Sequence, residues 1–467
     1  MKASKDLNSQ SINSDGTKRT LSNRHVQMIA IGGTIGTGLF LGSGTTISQT
    51  GPSILLIYAL MGLVFFFMMR AIGEMLYASP QEHTFVAFIT KYLGMGAGIF
   101  AGWSYWFAII FGGMAELTAI AIYVKFWFPT WNSAIIQIVF LLALTGINVL
   151  AARVFGEAEF WFATIKIIAI VSLILVGLFM VFAGFKDSNG VTASFSNLTN
   201  NFIFFPNGKL AFISAIPMVF FAFLAMEFVS ITIGETKNPR EVLKKAINQT
   251  VYRILIFYIG ALLVIMFIIP WREISPNNSP FVQVFKLAGL PAAAAIINFV
   301  VLTSAASSLN SLIFSSGRHL YQLSMEQDGK IIKHFRKISK AGVPANAIRM
   351  SASLFLFAPI ISLVPTIKNS FEFVGAAGSD LYIFVYILTI LAHRKYKASN
   401  DYLTNGFKMP FYKLSSPIVI FAFGLIFITL FFNPNDVIPA IGAIIWLLLF
   451  GTFCIVKNKG KKPVNEI

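Results

Sequence analysis

The sequence is poor in charge and in the residue types that build enzyme or metal sites. Only 12% of its 467 residues are charged, whereas soluble domains carry about 25%. A single cysteine, Cys454, excludes an intramolecular disulfide and a cysteine metal cluster. The five histidines form no H-E-x-x-H metal motif and the chain has no Walker-type phosphate loop, so metal-dependent hydrolysis and ATP-driven pumping are not indicated. We therefore predict a protein without catalytic residues, metal or cofactor.

Long apolar runs dominate the chain. Hydrophobic residues make up 56% of it, and the mean hydropathy is +0.74. A helix needs about 20 apolar residues to cross a bilayer. Twelve such spans are predicted, at about 26–48, 53–78, 97–125, 133–153, 158–184, 210–232, 250–270, 291–323, 346–366, 371–392, 415–432 and 436–456. The predicted fold class is an all-α membrane protein, and because a polar tail leads directly into the first span, no cleavable signal peptide is expected.

Acidic residues are outnumbered by basic ones, 19 to 36, which gives a formal net charge of +17. If the N-terminus is cytoplasmic, most Lys and Arg fall in cytoplasmic segments, as the positive-inside rule requires. The exceptions, predicted to lie outside, are Lys125, Lys186, Lys209, Arg272, Lys286 and Lys368. The charge therefore indicates a plasma-membrane protein with both termini in the cytoplasm, and nucleic-acid binding is not needed to explain it.

The first span contains an unusual run of glycine, IAIGGTIGTGLFLGSG, over 29–44. Glycine frees the backbone and weakens a helix, yet an unpaired backbone group in hydrocarbon costs several kcal/mol. One interpretation is close helix packing of the small-xxx-small type, for which Gly32/Gly36 and Gly38/Gly42 have the spacing. The other is a ligand-binding break in the helix, and the stretch alone favours neither.

The sixth span carries a carboxyl group, Glu227, deep in an apolar run. A charge at the bilayer centre costs about 2.5–3.5 kcal/mol, so Glu227 either holds helices together through hydrogen bonds or lines a central site and titrates. Spans one and six are five apart, as in transporters built from two inverted repeats with a broken helix in each. Repeats over about 26–184 and 210–392 would bring both breaks to mid-membrane, where half-helix ends suit a zwitterion.

Two further ionisable residues lie within predicted spans. Lys166 either reaches the cytoplasmic interface with its long stem or is a buried cation, such as a fixed charge in place of a bound metal ion. Glu116 either orients a neighbouring helix or contacts substrate. Arg70 and Glu74, at i and i+4, are expected to form a structural pair. In span eight Ser304 and Ser307 suit helix packing, although either could line the transport path.

These residues lie in stretches that resemble a known family over nearly the full length. The stretches are LSNRHVQMIAIGGTIGTGLFLGSG, GPSILLIYALMG, FGEAEFWFATIKIIAIVSL, ETKNPREVLKKAIN and SPFVQVFKLAGLPAAAAIINFVVLTSAASSLNSLIFSSGRHLY. The chain resembles the amino-acid transporter family of the amino acid–polyamine–organocation superfamily, and within it the D-serine/D-alanine/glycine permease group. The resemblance implies a leucine-transporter-like fold of two inverted five-helix repeats plus two C-terminal helices, with helices 1 and 6 broken, and proton coupling.

The resemblance also implies a set of site residues. The substrate carboxylate would be held by Gly33, Thr34, Thr37 and Gly38. The broken sixth helix would place Phe221, Ala222 and Leu224 near the amine, with Phe221 as a gating aromatic. By the same resemblance proton coupling would involve Glu227 and Lys166. The residues alone add Ser304 as a candidate for the substrate site and Glu116 as a candidate for proton coupling. The family commonly has glycine two residues before that glutamate. Here Ala225 stands in its place, which predicts a smaller pocket or a stiffer break.

Together these features predict a proton-coupled importer of small neutral amino acids, such as glycine, alanine and serine, with D-enantiomers as further candidates. Its partners would be the amino acid, a proton and the bilayer, and it would not be an enzyme. The predicted parts are a cytoplasmic tail (1–25), a transport core (26–392), helices 11 and 12 (415–456) and a second cytoplasmic tail (457–467). The alternatives are a permease for aromatic amino acids, asparagine or 4-aminobutyrate, and an amino-acid-gated channel or receptor.

Overall fold

The computed structural model describes residues 26–459 except for short gaps. These gaps are at 27, 29–31, 81, 83, 151, 187–189, 201, 234–235, 237–238, 277, 328, 365–366 and 368. Three predicted features therefore lie outside the described residues: the tail at 1–25, most of the tail at 457–467, and the beginning of the glycine-rich stretch.

The described residues form helices joined by short connections, and one isolated β-bridge pairs Lys186 with Thr192. The α-helices are α1 (Thr37–Phe40), α2 (Gly42–Thr50), α3 (Ile54–Ala78), α4 (Val86–Leu93), α5 (Met95–Lys125), α6 (Ser133–Leu150), α7 (Ala152–Phe182), α8 (Ser196–Thr199), α9 (Gly208–Ser214), α10 (Ile216–Ala222), α11 (Phe228–Ile233), α12 (Pro239–Ile268), α13 (Pro280–Leu287), α14 (Pro291–Glu326), α15 (Lys330–Lys333), α16 (Ala345–Phe355), α17 (Phe357–Ile361), α18 (Ser370–Lys397), α19 (Tyr412–Thr429), α20 (Pro434–Trp446) and α21 (Thr452–Lys457). The predicted all-α class is confirmed for this part of the chain.

Within the described ranges, nine helical stretches are long and apolar enough to cross a bilayer. They are Gly42–Ala78, Met95–Lys125, Ser133–Leu150, Val154–Phe182, Pro239–Ile268, Pro291–Met325, Ser370–Lys397, Tyr412–Phe432 and Pro434–Lys457. Two of the other predicted spans, 210–232 and 346–366, correspond to the shorter apolar segments Gly208–Ala222 and Ala345–Ile361. The chain is therefore a multi-pass membrane protein.

The centre of the bundle is formed by α5, α14 and α18, since α5 packs along both of the others. The most apolar part of α5 is 78% buried and that of α18 is 72% buried, whereas that of α6 is only 28% buried. Large apolar side chains such as Leu142 on α6 and Phe179 on α7 are exposed. In a membrane protein such surfaces face lipid, so α6 and α7 lie at the rim, and a polar group on α5, α14 or α18 must find its partners inside the protein.

A polar cluster joins α3, α18 and the loop before α19 at the end of the bundle where both helices terminate. The Glu74 carboxylate accepts hydrogen bonds from Lys397 Nζ at 2.7 Å and from Met409 N at 2.8 Å, and His393 Nε2 lies 2.9 Å from it. Arg70 donates instead to Asn248 Oδ1 at 3.0 Å and to the carbonyl of Lys408. Arg70 and Glu74, expected to form a structural pair, therefore make no direct ion pair: each binds the loop before α19 separately, and the Glu74 charge acts on Arg70 from a distance.

The same loop also contacts α4. Lys91 Nζ on α4 lies 2.7 Å from Asp401 Oδ2. Hydrogen bonds from Lys91 and Tyr92 lower the pKa of Asp401. Both partners of this ion pair are about half exposed, so its contribution to stability is small.

Candidate functional site

Two non-helical segments meet at the centre of the bundle. Helical backbone is interrupted at Ile35–Gly36, before α1, and again between α10 and α11 at Phe223–Glu227. The segments approach so closely that a Cβ built on Gly38 would lie 2.6 Å from Ala222 Cα and 2.9 Å from Ala222 N. Only glycine has no side-chain atom at this point, so its presence permits the beginning of α1 to touch the end of α10.

Hydroxyl groups from two helices bind the carbonyl groups of residues 33–35. We call residues 32–36, which include the interruption at Ile35–Gly36, the first segment. Ser308 Oγ on α14 donates to Gly33 O at 2.9 Å, and Ser304 Oγ donates to Ile35 O at 2.8 Å. The Tyr258 hydroxyl on α12 lies 3.0 Å from Thr34 O and 2.7 Å from Ala222 O, so one donor serves both segments. These contacts supply the partners that a non-helical backbone in a membrane requires.

Lys166 on α7 binds the same segment from the other side. Its side chain is fully buried, and Nζ donates to Gly32 O at 2.6 Å and to Ile35 O at 2.8 Å. The carboxyl groups of Glu159 and Glu116 are the charges that act on this ammonium. The interfacial position considered for Lys166 is thus excluded, and its side chain is the buried cation of the alternative interpretation.

A small cavity of about 30 Å³ lies between the two segments. A single water needs roughly 10–15 Å³ measured in this way, so the cavity has room for about two waters. Its walls are formed by Gly33, Thr34, Gly36, Gly38, Gly112, Glu116, Phe221, Leu224, Ala225, Ser308, Leu312 and Tyr382. Of the predicted site residues, Thr37 and Ala222 adjoin this wall without lining it, and Ser304 and Lys166 bind the backbone behind it.

Glu227 is separated from the cavity by a group of tyrosines. Its two carboxylate oxygens accept hydrogen bonds from Tyr105 at 2.9 Å and from Tyr386 at 2.7 Å. Tyr382, which lines the cavity, packs against the rings of both of these tyrosines with centroid distances of 5.5 Å. Glu227 is fully buried, so this aromatic group is what connects it to the cavity.

Phe221 stands between this cavity and a second one, which we call the outer cavity. The outer cavity measures about 20 Å³ and is lined by Thr45, Gln49, Ser214, Pro217, Met218, Phe221, Glu372, Gly375, Ala376, Ser379, Asn433 and Asp436. The Phe221 ring packs edge-on against Phe371 at 5.8 Å. Of the described residues, Phe221 is the one that lines both spaces.

Comparison with known proteins places this arrangement in a family. The family model described as amino acid permease matches residues 25–462. The chain belongs to the amino acid permease family. It is 48% identical to a DL-alanine permease of Lactococcus lactis, over 97% of this chain and 98% of the relative. A serine permease of the same organism is 47% identical over 94% of this chain and 98% of the relative. The D-serine/D-alanine/glycine transporter of Escherichia coli is 43% identical over 88% of each chain.

Several residues of this permease site were not predicted from its sequence. Ser308, Gly112, Tyr258 and Tyr382 carry no pattern that distinguishes them from other small or aromatic residues of apolar helices. Glu159 could have been found, because it lies seven residues before Lys166 on one helix, and this spacing returns to the same face. Glu159 accepts hydrogen bonds from Ser307 at 2.6 Å and from Asn310 at 3.3 Å, so Ser307 supports the carboxylate rather than the cavity wall.

The backbone of this permease is strained at Ala225, where the family resemblance predicts glycine. Ala225 has φ = 69°, in the left-handed region that costs an L-residue about 1–2 kcal/mol. We expect Ala225→Gly to leave thermal stability unchanged or to raise it, because relief of this strain offsets the greater flexibility of glycine in the unfolded chain. The melting midpoint of the purified protein in detergent checks this result.

Ala119→Gly on α5 is the matched control. Ala119 is also fully buried, but it lies within a regular helix, where glycine costs about 1 kcal/mol relative to alanine. Its midpoint should fall. Equal losses of stability in the two variants would show that the conformation at Ala225 carries no strain.

Proposed function

We propose that this permease transports small neutral amino acids, namely glycine, alanine and serine, including D-enantiomers, across the plasma membrane by alternating access. The names of its relatives support this substrate class. The observation that carries the proposal is the small cavity between the two non-helical segments, where Phe221 separates it from the outer cavity. The Ala225 methyl group lines this cavity and limits the space for a substrate side chain.

The helix ends at the cavity suit both charges of a zwitterion. The first N–H groups of a helix and the last C=O groups have no partner within it and carry opposite partial charges. Thr37 and Gly38 begin α1, and Ala222 ends α10 directly beside them. The substrate carboxylate would bind at Gly33, Thr34, Thr37 and Gly38, and its amine at the carbonyls that end α10, near Phe221, Ala222 and Leu224.

The proposed architecture has twelve spans in two inverted repeats, about 26–184 and 210–392, followed by helices 11 and 12 at 415–456. The interruptions at Ile35–Gly36 and Phe223–Glu227 would be the corresponding breaks in helices 1 and 6. Both tails, 1–25 and 457–467, would be cytoplasmic because most basic residues then lie on that side. The outer cavity would accordingly face the exterior.

Proton coupling is the proposed source of energy. Lys166 would take the place of a bound metal ion, because its ammonium binds two carbonyl groups of the first segment and two carboxyl groups act on it. Glu227 would bind and release the transported proton, and Ser304 and Glu116 would hold the first segment around the substrate. Glu116 accepts a hydrogen bond from Thr37 N at 3.3 Å, so its charge state affects the beginning of α1.

Uptake by proteoliposomes tests the function. Labelled glycine should accumulate under an inward proton gradient and should not accumulate under an inward sodium gradient alone. Unlabelled D-alanine and D-serine should compete, whereas L-phenylalanine and 4-aminobutyrate should not. Accumulation of another amino acid instead of glycine would support the permease function and assign it a different class of substrate. Passive, uncoupled flux of an amino acid would favour a channel.

Glu227→Gln is expected to abolish proton-driven accumulation while substrate exchange continues. The amide keeps the size of the side chain but cannot bind a proton. Accumulation and exchange of labelled substrate, measured in the same proteoliposomes, separate the two effects.

Tyr386→Phe is the matched control, since it removes one donor to Glu227 and leaves the carboxyl group in place. It should shift the pH at which accumulation is half-maximal and leave accumulation itself intact. Normal accumulation in Glu227→Gln would assign this glutamate a structural role.

A further inference from the structure

One carboxyl group in the transmembrane region is buried without a hydrogen-bond partner among the described residues. Asp380 on α18 is fully buried, and neither of its oxygens has a hydrogen-bond partner among the described residues. Buried polar groups in proteins almost always have such partners. An unpaired carboxylate ion at this position would be very costly, and a buried group of this kind exists in its neutral form. The transport mechanism proposed above makes no use of it.

Asp380 is the deepest of three carboxyl groups that lead inward from the outer cavity. Asp436 is the charge that acts on Asp380, and Glu372 acts in turn on Asp436. Glu372 and Asp436 line the outer cavity, while Asp380 lies eight residues, roughly 12 Å of helix, beyond Glu372 on α18. Ser379, the neighbour of Asp380 on α18, lines that cavity, so Asp380 is buried directly beside its wall.

The two outer members of this group are already satisfied by donors. Glu372 accepts hydrogen bonds from Thr45 at 3.2 Å and from Asn435 at 2.7 Å, and Asp436 accepts one from Asn433 at 3.0 Å. Asp380 alone lacks a donor. The three carboxyl groups are therefore not equivalent. Asp380, at the inner end, is the one that the protein leaves without a compensating donor.

No cation in the described residues offsets a charge on Asp380. The helices packed against α18 are α3, α4, α5, α10, α19 and α20. The charged residues of these helices are Arg70, Glu74, Lys91, Glu116, Lys125, Lys413 and Asp436, and α18 itself also carries Glu372, His393, Arg394, Lys395 and Lys397. Of all these groups, Asp436 is the one that acts on Asp380, and its effect is repulsive when both are ionised.

We propose that Asp380 is a proton-binding site, filled from the exterior through the outer cavity, whose occupation is required for that cavity to close. This inference rests on the proposed function, which orients the outer cavity toward the exterior. When the cavity is open and hydrated, Asp380 ionises and releases its proton to water. When α18 and α20 pack together, its carboxylate takes up one proton from water and the neutral acid is buried. Closure and proton binding are then linked equilibria.

The linkage predicts how substrate exchange depends on pH. With equal pH on both sides, exchange by the wild-type permease should fall as pH rises, by up to about tenfold per unit for one linked proton. Asp380→Asn is neutral at every pH and should lack this fall, keeping at high pH the exchange rate of the acidic range. Asp380→Val, of similar size and without polar atoms, should behave in the same way if the amide of asparagine prevents folding.

Glu372→Gln is the matched control, because it removes a carboxyl group of the same cavity that already has donors. It should retain the fall in exchange with rising pH. Thermal stability against pH gives a readout that does not require transport: the wild-type melting midpoint should decline with rising pH more steeply than that of Asp380→Asn. Coincident profiles for wild type and Asp380→Asn in both measurements would overturn the proposal. Absence of exchange by the wild type with any amino acid would instead reject the proposed function.

Discussion

Replacing Lys166 by methionine is expected to reduce amino acid accumulation at least a hundredfold and to lower the melting midpoint. The substitution keeps the apolar stem and removes an ammonium that binds Gly32 O and Ile35 O. It leaves the carboxyl groups of Glu159 and Glu116 buried without the cation that acts on them, and an uncompensated buried charge of this kind costs about 3–5 kcal/mol. Uptake under a proton gradient and thermal unfolding of the purified protein measure the two effects.

A double variant separates the structural effect from the transport effect. Glu159→Gln combined with Lys166→Met removes both charges, so stability should largely return while accumulation stays absent. Lys125→Met, at the end of α5 and without an ion pair among the described residues, controls for the loss of a lysine elsewhere. Wild-type accumulation in Lys166→Met would mean that the ammonium is dispensable and that the first segment is held by its hydroxyl donors alone.

Gly38→Ala is expected to eliminate substrate binding, with at least a hundredfold loss of uptake. The new methyl carbon would lie 2.6 Å from Ala222 Cα and 2.9 Å from Ala222 N. Both are backbone atoms and cannot rotate away, so the beginning of α1 and the end of α10 would have to separate. Binding of labelled substrate to the purified protein, together with uptake, measures the result.

Gly112→Ala provides a control from the same cavity wall. Its methyl carbon would meet Leu312 Cδ2 at 3.5 Å, an ordinary van der Waals contact with a flexible side chain. This variant should fold and transport, with some loss for the bulkier substrates. If Gly38→Ala transported as well as Gly112→Ala, the close approach of the two segments would not be needed for function.

Hydropathy predicted the long helices well and the interruptions poorly. The predicted spans 53–78 and 97–125 correspond to Ile54–Ala78 and Met95–Lys125 within about two residues. The span predicted at 210–232 is apolar on average, yet its backbone is not helical at Phe223–Glu227. Hydropathy measures the side chains that contact lipid, and it contains no information on which backbone groups find partners elsewhere in the protein.

For a related reason, the sequence did not predict the hydrogen-bond partners of the site residues. In a helix that is apolar all round, periodicity does not show which face points inward. Glu227 was recognised because a carboxyl group stands out in an apolar run. Its donors Tyr105 and Tyr386, both more than 100 residues away, were not recognised. Lys166 was left with two interpretations because burial depends on what packs around α7. The glycine-rich stretch was the strongest signal, since close approaches such as that of Gly38 to Ala222 leave no room for a side chain.

The strained Ala225, two residues before Glu227, has a consequence for how the substrate range of this transporter can change. Every alanine codon becomes a glycine codon by one nucleotide change at its second position. At Ala225 that change would remove a methyl group from the wall of the central cavity and relieve a left-handed φ of 69°. We therefore expect a broader substrate range to be one mutational step away, without a penalty in folding. Selection for growth on bulkier amino acids should recover this codon change repeatedly in independent lineages.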